Sequence, residues 1–128
     1  MCLASKFLTR FEELTCEMET EYQRLKKLEH LYNEKLSNFY HQMETAKFNA
    51  VEGYYKAKEI QDIVRQRRVI KDEIYRLKCV RDKMKLTAII ERSKATRDTL
   101  NDIHKHREEH SWSNEWADDY RIEDLQIH

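Results

Sequence analysis

The sequence predicts an all-α protein: two long antiparallel amphipathic helices in a coiled-coil-like hairpin, followed by a short C-terminal helix or tail. Three observations carry that prediction. The 128 residues include one Gly and no Pro, so tight β-turns and glycine-rich phosphate loops lack the residues that build them. From Phe7 to Ala50 the apolar side chains recur at steps of three or four, which keeps one helical face continuously apolar. A second run of the same kind follows it.

The first helix is read from Phe7, Phe11, Leu14, Met18, Tyr22, Leu25, Leu28, Tyr32, Leu36, Phe39 and Met43. Within it Phe11, Met18, Leu25, Tyr32, Phe39 and Ala46 are strictly seven apart, the spacing that lines a coiled-coil seam. The joint to the next helix is expected between Thr45 and Asn49, where Asn49 suits an N-cap and Glu52, three residues on, suits its capping-box partner. Gly53 then falls just inside the second helix. An interior Gly costs about 1 kcal/mol relative to Ala, which predicts either a bend there or the close approach of another helix.

The second stripe contains Ile60, Ile63, Val64, Ile70, Ile74, Leu77, Met84 and Ala88. Unbroken to Glu109 this helix would be roughly 90 Å long, against roughly 60 Å for the first, at 1.5 Å per residue. Either the overhang dimerises with another chain, or the helix breaks near Lys85 to Thr87 or across Ser93 to Thr99 and a shorter third helix folds back; the break is the favoured reading. Residues 1–110 make the helical domain on this reading, and 111–128 form an acidic tail with Trp112, Trp116 and Tyr120 at steps of four. Such a tail folds against its own helices or orders on a partner, and the pattern leaves both open.

Charge adds a second layer. The 24 basic and 24 acidic residues cancel, yet they are segregated. Residues 1–54 sum to −2, 55–98 to +7 and 99–128 to −5, so opposite blocks pair within the chain or between subunits, or each meets its own partner. At 38% charged the apolar residues suffice for narrow seams and not for a thick core, and a homodimer through the exposed parts of the seam is expected. The longest apolar run is far short of the roughly 20 residues that span a bilayer, so no membrane partner is expected. Three cysteines without CxxC spacing suit a reducing, cytoplasmic location.

The residues that bear chemistry point to binding. Arg67 and Arg81 occupy the seven-residue series of Ile60, Ile74 and Ala88, so two guanidinium groups lie on or beside the seam. They either reach a carboxylate on the same or the first helix while their stems pack, or face a partner groove. With Arg65, Arg68 and Lys71 they make the second helix a basic surface for a protein, a nucleic acid or a nucleoprotein. Interleaved Asp62, Asp72, Glu73 and Asp82 weaken a continuous phosphate track. In the tail, Asp118 and Asp119 beside Trp112, Trp116 and Tyr120 fit a docking element that occupies a partner's basic groove. His106 and His110 stand one turn apart without the HExxH arrangement, and are read as exposed residues favoured near a helix C-terminus. Cys16 and Cys79 fall inside helical patterns with no Gly-rich turn nearby. No catalytic, cofactor or metal site is expected.

The block Phe48-Asn49-Ala50-Val51-Glu52-Gly53-Tyr54, followed by Arg67-Arg68-Val69-Ile70-Lys71-Asp72-Glu73, resembles a pattern in small uncharacterised helical proteins of bacteriophages and prophages of low-GC Gram-positive bacteria. The resemblance covers about residues 41–78 and carries over no functional residue. It implies a small phage accessory protein acting in the host cytoplasm, a class in which inhibitors of host enzymes or defence nucleases, anti-CRISPR-like proteins among them, are common. The function expected is thus a non-enzymatic helical protein–protein interaction module that binds and inhibits a host or defence protein. The alternatives are a nucleic-acid-binding helical dimer and a structural coiled-coil adaptor.

Overall fold

The structure, a computed structural model, describes residues 2–109 and 119–126. The chain forms three helices, α1 (Leu3–Thr45), α2 (Ala50–Lys83) and α3 (Leu86–Glu109), and a short 3-10 turn at Ile122–Asp124. No strand occurs among the described residues, and none of these helices is long and apolar enough to cross a membrane. The contacts divide into two compact units, one of Met1–Glu12 with Ile90–His128 and one of Glu13–Ile89.

In the unit of Glu13–Ile89, α1 and α2 run antiparallel. Arg81 meets Glu19 and Arg67 meets Asn33, so fourteen residues forward on one helix match fourteen back on the other. The seam follows the expected series from Met18 to Phe39 on α1 and from Ile63 to Leu77 on α2, while Leu14, Ala46, Val64 and Met84, also placed on the stripes by spacing, are exposed. Phe39 and Ile74 are 5% and 6% exposed, Leu86 is 2% exposed, and Met18, Tyr22, Leu25, Leu28, Tyr32, Leu36, Ile63, Ile70 and Leu77 are half-buried beside them. Few apolar side chains are fully enclosed, as a two-helix seam dictates: each helix covers one stripe of its neighbour and leaves the rest to solvent.

Both joints have local causes. Asn49 has extended backbone and its Oδ1 accepts the Glu52 N–H at 2.9 Å, which satisfies one of the donors a helix start leaves orphaned. Gly53 neither breaks α2 nor admits another helix. The ring of Phe48, the residue before the cap, lies over it, and a Cβ at Gly53 would stand 3.3 Å from two ring carbons. This is the staple position, in which a side chain before the cap packs on the fifth residue from it, and here a missing side chain makes the room.

The break between α2 and α3 falls at the first of the two expected places. Lys85 adopts φ 52°, the left-handed conformation, and its N–H bonds to the Asp82 carbonyl at 3.2 Å. That closes α2 with a left-handed residue just past its C-cap, with Leu86 buried immediately after. Gly usually fills such a position, and this chain has only one.

In the other unit, the start of α1 pairs antiparallel with α3. Arg97 donates to Glu12 and, at 3.1 Å, to Thr9 Oγ1, while Cys2 meets His104. Here the sequence expectation is corrected. Phe7 and Phe11, placed on the seam by their spacing, are 51% and 59% exposed, and α1 turns Ser5, Leu8, Thr9 and Glu12 inward instead. The cause lies on α3, which from Ser93 to Glu109 offers only Leu100 and Ile103 as large apolar side chains. A helix that polar cannot cover a phenylalanine stripe. Its arginine and histidine find partners on the polar side of α1, and that side wins.

Candidate functional site

The outward face of α2 concentrates the side chains suited to a partner. Tyr54, Lys58, Arg65, Val69, Asp72 and Arg76 follow one another at helical steps of three, four or seven, so they share one side. All are exposed. Val69 is 65% and neighbouring Tyr75 78% exposed, and Tyr55 extends the surface at the N-terminal end. Tyr54 and Tyr55 meet edge to face with ring centroids 5.6 Å apart, and the Lys58 ammonium sits 5.2 Å from the Tyr54 ring centre. Arg76 is tethered to Glu73 at 3.2 Å. The face therefore alternates guanidinium, aromatic and valine surface, with carboxylates at Asp62, Asp72 and Glu73.

The structure separates the basic residues that the sequence grouped. Arg65 and Arg68 lie on the exposed side, whereas Arg67 and Lys71 are half-buried. Arg67 Nε donates to Asn33 Oδ1 at 2.6 Å. Arg81 donates through Nε and one terminal nitrogen to the two oxygens of Glu19, at 2.8 and 3.2 Å, and its guanidinium lies 4.5 Å from the centre of the Tyr22 ring. The Arg81 hydrogen bonds, helped by one from Gln23, hold the Glu19 carboxyl below the usual glutamate range. Glu19 in turn raises the affinity of Arg81 for its proton. Of the two readings open for these seam arginines, the geometry at Arg81 is that of a carboxylate on the first helix, and Arg67 finds an amide where a carboxylate was expected.

An open hollow of about 400 Å³ lies in the same unit, lined by Lys35, Phe39, Glu59, Asp62 and Ile63 among others. It brings two carboxylates and one lysine to the rim of the seam.

In the other unit, Asp119 and Tyr120 are exposed, as are Ile122 and Leu125 around the 3-10 turn. Trp112, Trp116 and Asp118 lie outside the described residues, as does His110. His104 is turned to Cys2, with Nε2 3.5 Å from Sγ. Spacing alone could not have found this pair, since the two residues are 102 apart in sequence. The available signal was the antiparallel fold-back of the third helix, which sets the end of α3 against the start of α1.

No protein-family model matches the chain, and no curated protein or solved structure is significantly similar to it.

Proposed function

We propose that the chain is a non-enzymatic helical interaction module whose outward α2 face receives an acidic protein partner. One observation carries this reading: Arg67 and Arg81 are spent on the seam, while Arg65, Arg68, Tyr75 and Val69 face outward beside Tyr54 and Tyr55. Tyr and Arg are the residues most enriched at interface hot spots, because each offers a large contact area together with a polar group that finds a specific partner. The interleaved Asp62, Asp72 and Glu73 favour a protein, with its patterned charges, over a uniformly anionic backbone. The resemblance to phage accessory proteins extends the reading to inhibition of a host or defence protein. Exposed Phe7 and Phe11 support a homodimer in which a second copy covers them.

A second reading, nucleic-acid binding, is favoured by the exposed row of Lys58, Arg65, Arg68, Arg76 and Lys83. One experiment separates the two. Affinity capture from the cells that express the chain, with wild type and a triple variant Arg65→Glu, Arg68→Glu, Tyr75→Ala, should retain a discrete protein on the wild type and lose it on the variant. Equal capture by both would end the proposal. Binding of duplex DNA or RNA that weakens steeply as salt rises, with a smaller salt slope for the variant, would instead establish the nucleic-acid reading.

A further inference from the structure

We propose that Cys2 is a thiol-modification site, its Sγ held as a nucleophile between Ser5 of α1 and His104 of α3, and that it takes up small-molecule disulfides by thiol–disulfide exchange. The geometry is that of a stabilised thiolate. Cys2 stands at the start of α1, its carbonyl accepting the Lys6 N–H at 3.0 Å, so its side chain meets the positive end of the helix dipole. The Ser5 N–H donates to Sγ at 3.4 Å, the Ser5 hydroxyl lies 3.4 Å from it, and His104 Nε2 approaches from the facing helix at 3.5 Å. The titratable group that meets the sulfur is His104 on α3; Arg97, one heptad before it, is turned to Glu12 and Thr9. Cys2 is nevertheless exposed, so a reagent can reach it. Cys16 and Cys79 are exposed as well, but Cys16 lies in the body of α1 and Cys79 about one turn from the C-terminal end of α2, so neither stands at the N-terminus of its helix.

The hydrogen bonds with the Ser5 hydroxyl and backbone N–H, and then that with His104, lower the Cys2 thiol to about 6. In the exchange, the Cys2 thiolate attacks one sulfur of the small disulfide. The new Sγ–S bond forms as the old S–S bond breaks, the departing sulfur leaves as a thiolate and takes a proton from water, and the Cys2 sulfur is oxidised as that sulfur is reduced. The modified sulfur no longer holds a charge for Ser5 and His104 to donate to.

The kinetics have a recognisable form, because a lower pKa gives more thiolate but a weaker nucleophile. Against an ordinary cysteine at about 8.5, Cys2 at pH 6 has on the order of 150-fold more thiolate, and a Brønsted coefficient of about 0.45 returns roughly 13-fold of that. About tenfold remains. At pH 9 an ordinary cysteine is mostly ionised as well, and the same coefficient leaves Cys2 about tenfold slower than such a thiol.

The test uses the intact chain with hydroxyethyl disulfide, a neutral probe, and reads the rate at each cysteine by peptide mass spectrometry after acid quench. Cys2 should react about tenfold faster than Cys16 and Cys79 at pH 6, and the order should invert by pH 9. His104→Leu should move the Cys2 midpoint upward and slow its reaction at pH 6 severalfold, with circular dichroism checking that helix content is retained. Equal rates for the three cysteines at pH 6 would overturn the proposal. So would a folded His104→Leu variant with an unchanged Cys2 profile, and the wild-type profile decides the matter alone if that variant does not fold.

Discussion

Removal of the Arg81 charge while its apolar stem is kept, by Arg81→Met, should cost about 1.5 kcal/mol of unfolding free energy. The structure supplies the terms. The pair with Glu19 is bidentate, and the two side chains are 26% and 32% exposed, which places it at the upper end of the range for solvent-accessible ion pairs, about 1 kcal/mol. The guanidinium over Tyr22 at 4.5 Å contributes about 0.5 kcal/mol, the low end for a cation against an aromatic face that water still reaches. A double-mutant cycle isolates the first term: Glu19→Gln, Arg81→Met and the double variant, each unfolded in urea and followed by circular dichroism, should give a coupling of about 1 kcal/mol at pH 7. The sign of the pH dependence follows from the carboxylate. Arg81 depresses the folded-state pKa of Glu19, so the coupling is present in full above the unfolded glutamate value of about 4.3, and is lost as pH falls through the lower folded value. A coupling under about 0.3 kcal/mol, or one that persists unchanged in acid, would refute the assignment of Arg81 to the seam.

Lys85→Gly should stabilise the chain by about 1 kcal/mol, because φ 52° strains any residue with a Cβ; an unchanged or lower urea midpoint would count against a left-handed cap there. Gly53→Ala should also stabilise, by up to about 1 kcal/mol, since the Phe48 ring that a new methyl would press is 45% exposed and free to yield. Destabilisation would mean that Phe48 is pinned. Phe39→Ala should cost about 3 kcal/mol at any protein concentration. Phe7→Ser with Phe11→Ser should act on association instead, converting a wild-type dimer to monomer in sedimentation, and a wild-type monomer at micromolar concentration would remove the dimer.

Most of the helical architecture was legible because it rests on local signals. Steps of three and four marked both long helices, Asn49 marked its cap, and the length mismatch favoured a break without choosing between Lys85 to Thr87 and Ser93 to Thr99. The fate of Phe7 and Phe11 was not legible. Their spacing is indistinguishable from that of Met18 and Leu25, and what differs is the helix opposite, whose poverty in apolar side chains mattered only once the chain had folded back. The same holds for the candidate surface. Arg65, Arg67 and Arg68 look alike in a charge count, and only the register of α1 on α2 commits Arg67 to Asn33 while leaving the other two outward. Cys2 and His104 were hidden for the same reason: each is unremarkable in its own helix, and the pairing exists only in the fold-back.

That register itself needs a cause, because a seam with so few fully buried side chains discriminates poorly against slippage by one heptad. Leu, Tyr and Met positions seven apart would repack at small cost. The polar positions would not. In the observed antiparallel register Glu19 faces Arg81 and Asn33 faces Arg67, and the position midway between them on each helix is Lys26 on α1 and Ile74 on α2. Slip by seven residues in one direction brings Arg67 to Lys26, and slip in the other brings Arg81 to Lys26. Either way two cations are apposed and both Glu19 and Asn33 lose their guanidinium, although the first slip sets Arg81 opposite Glu12 and is the less costly of the two. The two seam arginines thus act as polar residues do at coiled-coil seam positions, where they give up some apolar burial and exclude alternative alignments. By fixing which residue of α2 meets which residue of α1, they also fix which side of α2 faces away, and so set the composition of the surface offered to a partner.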